Sequence, residues 1–106
     1  MNIQIRYSKK DYFRKYIMLD QAVAKEEAET ETAQVAELFV TDETKTDHEI
    51  CEEAFNVLNV HPGACIDQYD LKRLGVGHTS MSVGDICVVR GNWYQVMPVG
   101  FEVIDG

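Results

Sequence analysis

The sequence predicts an α+β fold: a small, mostly antiparallel sheet of four or five strands with one or two helices packed on it. Three observations predict it. Residues 2–7 alternate polar and apolar at the period of a strand. Residues 46–58 join a helix-start signal to an apolar stripe. Residues 83–104 read as short strands separated by turn formers. A chain of 106 residues holds one domain, 1–106, with a single core.

Taken in order, Ile3, Ile5 and Tyr7 fall on one side of the first strand, and Asn2, Gln4 and Arg6 on the other. Ser8, with Asp11 three residues on, reads as a helix N-cap. From Lys9 to about Thr30 the apolar period lengthens: Tyr12, Tyr16, Leu19 and Val23 mark an amphipathic helix. Its acidic second half sits badly against the negative end of the helix dipole and is expected to fray. The competing reading makes Tyr16–Leu19 a second strand followed by a mobile acidic loop over about 24–32. Residues 33–40, AQVAELFV, form a strand whose apolar residues on both faces suggest a central position.

The next helix is the best signalled. Thr46-Asp47-His48-Glu49 matches a capping box, Ile50, Ala54, Val57 and Leu58 form one stripe, and Pro62-Gly63 ends it. Residues 64–77 show no clear period, and Gly75 and Gly77 make them loop-like. Ile86–Val89 is a strand, Arg90-Gly91-Asn92 a hairpin turn, and Trp93–Val96 the returning strand. Met97-Pro98 interrupts, and Phe101–Ile104 closes the sheet.

Charge is unevenly placed. The formal net charge is −8, from 18 acidic and 10 basic side chains. Residues 1–19 are basic, residues 20–53 hold most of the carboxylates, and the remainder is close to balanced. Such a surface repels phosphates, so direct nucleic-acid binding is not expected. It attracts a protein partner with a basic surface. Glu49, Glu52 and Glu53 on the capped helix, with Glu26 and Glu27 further back, are the candidate partner-binding carboxylates. Their ordinary role is a solvated face. No apolar run reaches the length of a membrane span and no leader is recognisable. Three cysteines, an odd count, read as reduced thiols. The expected location is the cytoplasm.

Residues with catalytic or ligating chemistry form weak patterns. His48, Cys51, His61 and Cys65 supply the nitrogen and sulfur donors zinc takes, but at spacing unlike known zinc modules. Cys51 on the apolar stripe is more simply a buried small residue. Cys65 or Cys87 with His61 or His78 would make a thiol nucleophile and base, without an accompanying oxyanion loop. Gly75-Val76-Gly77 lacks the G-K-[ST] of a phosphate-binding loop. No cofactor is called for.

The C-terminal third has a more specific look. Ser80-Met81-Ser82-Val83-Gly84-Asp85, then Gly91, Tyr94 and Gly100-Phe101, resemble an S-x-S-V-G-D…G-x-x-Y…G-F pattern of small proteins from bacteriophages and other mobile elements. The ending is similar to that of the YodL-like domain. The resemblance covers residues 79–104, and 46–59 loosely. It implies a phage-type accessory protein in a host cell's cytoplasm, and no particular activity. The motif also has a structural explanation. Gly84 supplies a positive φ, Asp85 accepts backbone N–H bonds, Gly91 permits the hairpin, and Tyr94 and Phe101 cover one sheet face. The hydroxyl-rich edge of Thr79, Ser80 and Ser82 is a further candidate contact.

The function expected from these residues is therefore a non-catalytic accessory protein that binds and modulates a host or defence protein, with mimicry of DNA phosphates as a variant. The alternatives are a small zinc- or thiol-dependent enzyme, and a structural homo-oligomer subunit assembled through Trp93, Tyr94 and Phe101.

Overall fold

A computed structural model describes residues 1–16, 18–61 and 66–104. Five strands form one sheet: β1 (Asn2–Ser8), β2 (Thr32–Phe39), β3 (Ile86–Val89), β4 (Asn92–Val96) and β5 (Phe101–Val103). Their order is β2-β1-β3-β4-β5, and every neighbouring pair is antiparallel. The described helices are α1 (Phe13–Tyr16), α2 (Lys25–Glu31), α3 (Asp47–Val60) and α4 (Gln68–Arg73). The α+β class with its antiparallel sheet is as expected.

The sheet separates two apolar layers. On one face Ile3, Ile5 and Tyr7 of β1 and Cys87 and Val89 of β3 meet Ile50, Cys51, Ala54 and Leu58 of α3. Leu71 of α4 joins the same cluster. On the other face Ile86 packs with Ala28 of α2 and with Ile104, beside Val23, Val88 and Trp93. Strand alternation makes this division: Ile86 and Val88 point one way, Cys87 and Val89 the other.

Strand β2 lies at the sheet edge, not at its centre. The register shifts opposite Ile5/Arg6: Ile5 faces Ala36, while Arg6 faces Gln34. Val35 is thus an extra residue, a β-bulge that exchanges the two faces of the strand. Leu38 and Ala36 before the bulge, counted from its far end, and Ala33 beyond it all share the α3 face through their partners Ile3, Ile5 and Tyr7. Apolar residues at both parities therefore reflect a change of phase in a one-sided strand.

The helix expected over Lys9–Thr30 is broken. Among the described residues only Phe13–Tyr16 and Lys25–Glu31 are helical within it, and the alternative strand over Tyr16–Leu19 is not formed there. A tertiary contact competes at the break. The Val23 amide donates to Oε1 of the fully buried Gln95 at 2.9 Å, and Gln95 Nε2 donates to the Gly84 carbonyl at 3.1 Å. A buried side-chain amide must satisfy its polar atoms, and here it takes a donor that a continuous helix would have used. Ser8 is not a helix cap either: it is the buried last residue of β1, and its amide donates to Asp85 Oδ1 at 2.8 Å. The acidic end of α2 is met by a cation from the sheet. Arg6 donates to the carbonyls of Glu29 and Thr32 at 3.2 and 2.8 Å, which satisfies the helix end that its own sequence leaves without basic residues.

Helix α3 starts as expected. Thr46 Oγ1 accepts from the Glu49 amide at 3.2 Å, and Glu49 Oε1 accepts from the Thr46 amide at 3.0 Å. Ile50, Cys51, Ala54 and Leu58 are buried, whereas Val57 is exposed. The Pro62-Gly63 stop lies outside the described residues. Part of the expected loop over 64–77 is instead α4. Asp67 caps it through a 2.8 Å bond from the Tyr69 amide. Gly75, at φ 79°, ends it: the Val76 amide donates to the Leu71 carbonyl and the Gly75 amide to that of Lys72. That bond pair is a Schellman stop, so the glycine belongs to helix termination. In the β3–β4 hairpin both turn residues, Arg90 (φ 51°) and Gly91 (φ 81°), take the left-handed conformation that a two-residue type I′ turn requires.

Candidate functional site

The candidate carboxylates divide between the two sides of the sheet. Glu49, Glu52 and Glu53 stand on α3, and Glu26 and Glu27 on α2 across the sheet. They do not form one surface. Glu53 pairs with Lys45 at 2.8 Å, Glu27 with Lys15 at 3.0 Å, and Glu49 closes the capping box, which holds its pKa below the usual range. Asp47, in the first turn of α3, accepts from Tyr94 Oη, Arg90 Nη1 and Asn92 Nδ2. The Tyr94 bond, and then those from Arg90 and Asn92, hold Asp47 below the usual carboxylate range against the effect of burial. Burial, reinforced by Asp47, pushes the Tyr94 phenol up to about 12.

Next to α3 lies an open groove of about 280 Å³. Leu38, Phe39 and Val40 form one wall, Ala54 and Val57 another, and Asp42, Lys45 and Glu53 lie at its rim. Phe39 is 72% exposed and Val57 41%. These two open apolar side chains stand together at the outer edge of β2.

Of the four proposed zinc ligands, Cys65 lies outside the described residues. Among the other three, His48 is exposed and meets Tyr94 edge-on at 5.3 Å, Cys51 is fully buried, and His61 is the exposed C-cap of α3. Among the described residues no group of three or more His, Cys, Asp or Glu is placed to hold a metal. Cys87 is buried on the α3 face of the sheet, in the cluster that holds Cys51. A hydrogen bond with Cys87 and burial push the Cys51 thiol far above its ordinary pKa, so it stays protonated and unreactive. Trp93 is covered by cations, with Arg6 at 4.9 Å and Lys25 at 5.4 Å from its ring, and Phe101 stands edge-on to Phe55.

Sequence reasoning missed a second centre. Asp85 is fully buried, yet its carboxylate receives the Ser8 and Ser82 amides at 2.8 Å each and lies 2.9 Å from His78 Nε2. Burial raises the Asp85 pKa, and the imidazole and the two amides oppose the shift. His78 is itself clamped between rings: Tyr7 stacks on it at 4.7 Å, and Phe13 tilts against it at 4.5 Å. The expected role of Asp85 in fixing the turn before β3 is thus present, and it extends to β1 and to a histidine. Nothing in the seven-residue separation of His78 and Asp85 announces the pair. Thr79, Ser80 and Ser82 lie half-buried in the connecting segment, where Tyr7 Oη donates to the Thr79 carbonyl and Ser82 Oγ to that of Ser80. A cleft of about 330 Å³ opens beside His78, bounded also by Lys10, Lys72, Gly77 and Thr79.

A scan against protein-family models, a search of curated proteins and a search of solved structures each found no match. Among the described residues no helix is long and apolar enough to cross a membrane.

Proposed function

We propose that the protein is a non-catalytic accessory protein of the phage or mobile-element kind, which binds and modulates a protein partner through the acidic side of α3. The observation that supports this reading best is the groove between α3 and the end of β2. Exposed Phe39 and Val57 offer an apolar anchor point, and Asp42, Glu49, Glu52 and Glu53 stand around it or along the same helix. A basic partner surface bearing one apolar side chain complements both features. Glu26 and Glu27, on the opposite side of the sheet, fall outside this face. Lys45 and Arg90 among the α3 carboxylates interrupt the charge row that phosphate mimicry would need, so recognition of a protein surface is the better-supported form.

Affinity capture from host cells with identification of the bound protein, followed by titration at low salt, tests this reading. The E49K/E52K/E53K variant, shown to be folded by circular dichroism, should bind that partner at least about tenfold more weakly. Phe39→Ser should weaken binding independently of salt. Unchanged affinity in both variants refutes the proposal.

A further inference from the structure

We propose that the cleft beside His78 binds the phosphate group of a small phosphate monoester. Four observations at this cleft, which shares no lining residue with the α3 groove, lead there. Lys10 and Lys72 flank the cleft, both exposed. Among the described residues neither takes part in an ion pair, although the chain carries 18 carboxylates and Lys15, Lys45, Arg73 and Arg90 each hold one. An acidic protein that leaves two lysines unpaired across one concavity offers a local site for an anion.

The lysine on the α1 side is positioned by backbone. Its amide donates to the Gly75 carbonyl at 2.6 Å, and its side-chain stem lies along Gly77, where a Cβ would stand 3.4 Å from Lys10 Cγ. The histidine is fixed as well. Asp85 engages Nε2, and the Tyr7 and Phe13 rings hold the plane of this cleft-lining imidazole. Finally, the cleft is larger than a phosphate group needs, and Leu71 and Val76 line part of it. Apolar lining beside the cations fits an ester with a small apolar substituent better than a free ion.

Titration of the ¹⁵N-labelled full chain with phenyl phosphate tests the site, with inorganic phosphate and, at matched ionic strength, sodium chloride as comparisons. Saturable shifts of the amides of residues 75–79 are expected with phenyl phosphate, weaker ones with inorganic phosphate, and none with chloride. The K10Q/K72Q variant, both positions being exposed, should retain the remaining amide spectrum and lose about tenfold or more in affinity. Equal shifts with chloride, no saturation at millimolar ester, or full affinity in K10Q/K72Q overturns the proposal. Charge reversal on α3 should leave this binding unchanged, so the two proposals fail separately.

Discussion

Gly84 and Tyr16 are packed backbone against ring base: a methyl group on Gly84 would overlap Tyr16 Cβ and crowd its ring. Gly84 also takes φ 97°, which L residues rarely adopt. Two independent requirements thus fall on one residue of the S-V-G-D segment. Gly84→Ala should cost about 3 kcal/mol, from overpacking and backbone strain together. Gly91, with a positive φ but open space around it, isolates the second effect, and Gly91→Ala should cost about 1 kcal/mol. Chemical denaturation of both variants checks the difference; equal losses would show that the Tyr16 contact does not matter.

Asp85 has three nitrogen partners and no access to water. Asp85→Ala strands the Ser8 and Ser82 amides in the interior and frees the His78 ring. The expected loss is about 3 kcal/mol or more, because unsatisfied buried donors cost more than a hydrogen bond contributes. Asp85→Asn keeps acceptor capacity on one oxygen and should retain more stability than the alanine variant. Thermal melts of the two, compared side by side, decide it.

Asp47 ties the start of α3 to the β3–β4 hairpin through Tyr94, Arg90 and Asn92. Its pKa is lowered in the folded chain, principally by the Tyr94 hydroxyl. The stability it contributes is therefore complete above the ordinary aspartate pKa of about 4 and is lost as pH falls through the lowered folded value. Asp47→Asn should be less stable than the parent by about 1–2 kcal/mol at neutral pH. The gap should close in strong acid. A gap that persists at low pH would mean that packing, not charge, is what the substitution removes.

Thr46 supplies half of the capping box. Thr46→Ala should cost about 1 kcal/mol, and Thr46→Ser should restore most of it, since serine offers the same acceptor. Hydrogen exchange at the Glu49 amide reports the loss locally, and unchanged protection there would count against the cap.

How much of this was legible depends on where the stabilising partner lies. Strand β1 was readable because Ile3, Ile5 and Tyr7 repeat every second residue. Helix α3 was readable because Thr46 and Glu49 satisfy each other within one turn. The Arg90-Gly91 turn was readable because its backbone requirement falls on the turn itself. Helix α4 was missed although its signals, Asp67 at one end and Gly75 at the other, are present: with only six helical residues it displays too little periodicity.

Length and local pattern, by themselves, determined the α+β class, the β3–β4 hairpin and the start of α3, since the period of each element, the turn and the cap are set among near neighbours. Only the tertiary structure decided the edge position of β2, the break between α1 and α2, the division of the acidic residues between two sides of the sheet, and the joining of His78 to Asp85. In each case the deciding partner comes from a distant part of the chain or the outcome depends on how the strands are ordered. The register of β1 fixes the bulge at Val35, Gln95 takes the Val23 amide, and burial under the sheet forces Asp85 to gather donors from Ser8, Ser82 and His78. A buried polar group must be satisfied by whatever the fold brings within reach, and that reach is set by packing, not by sequence separation.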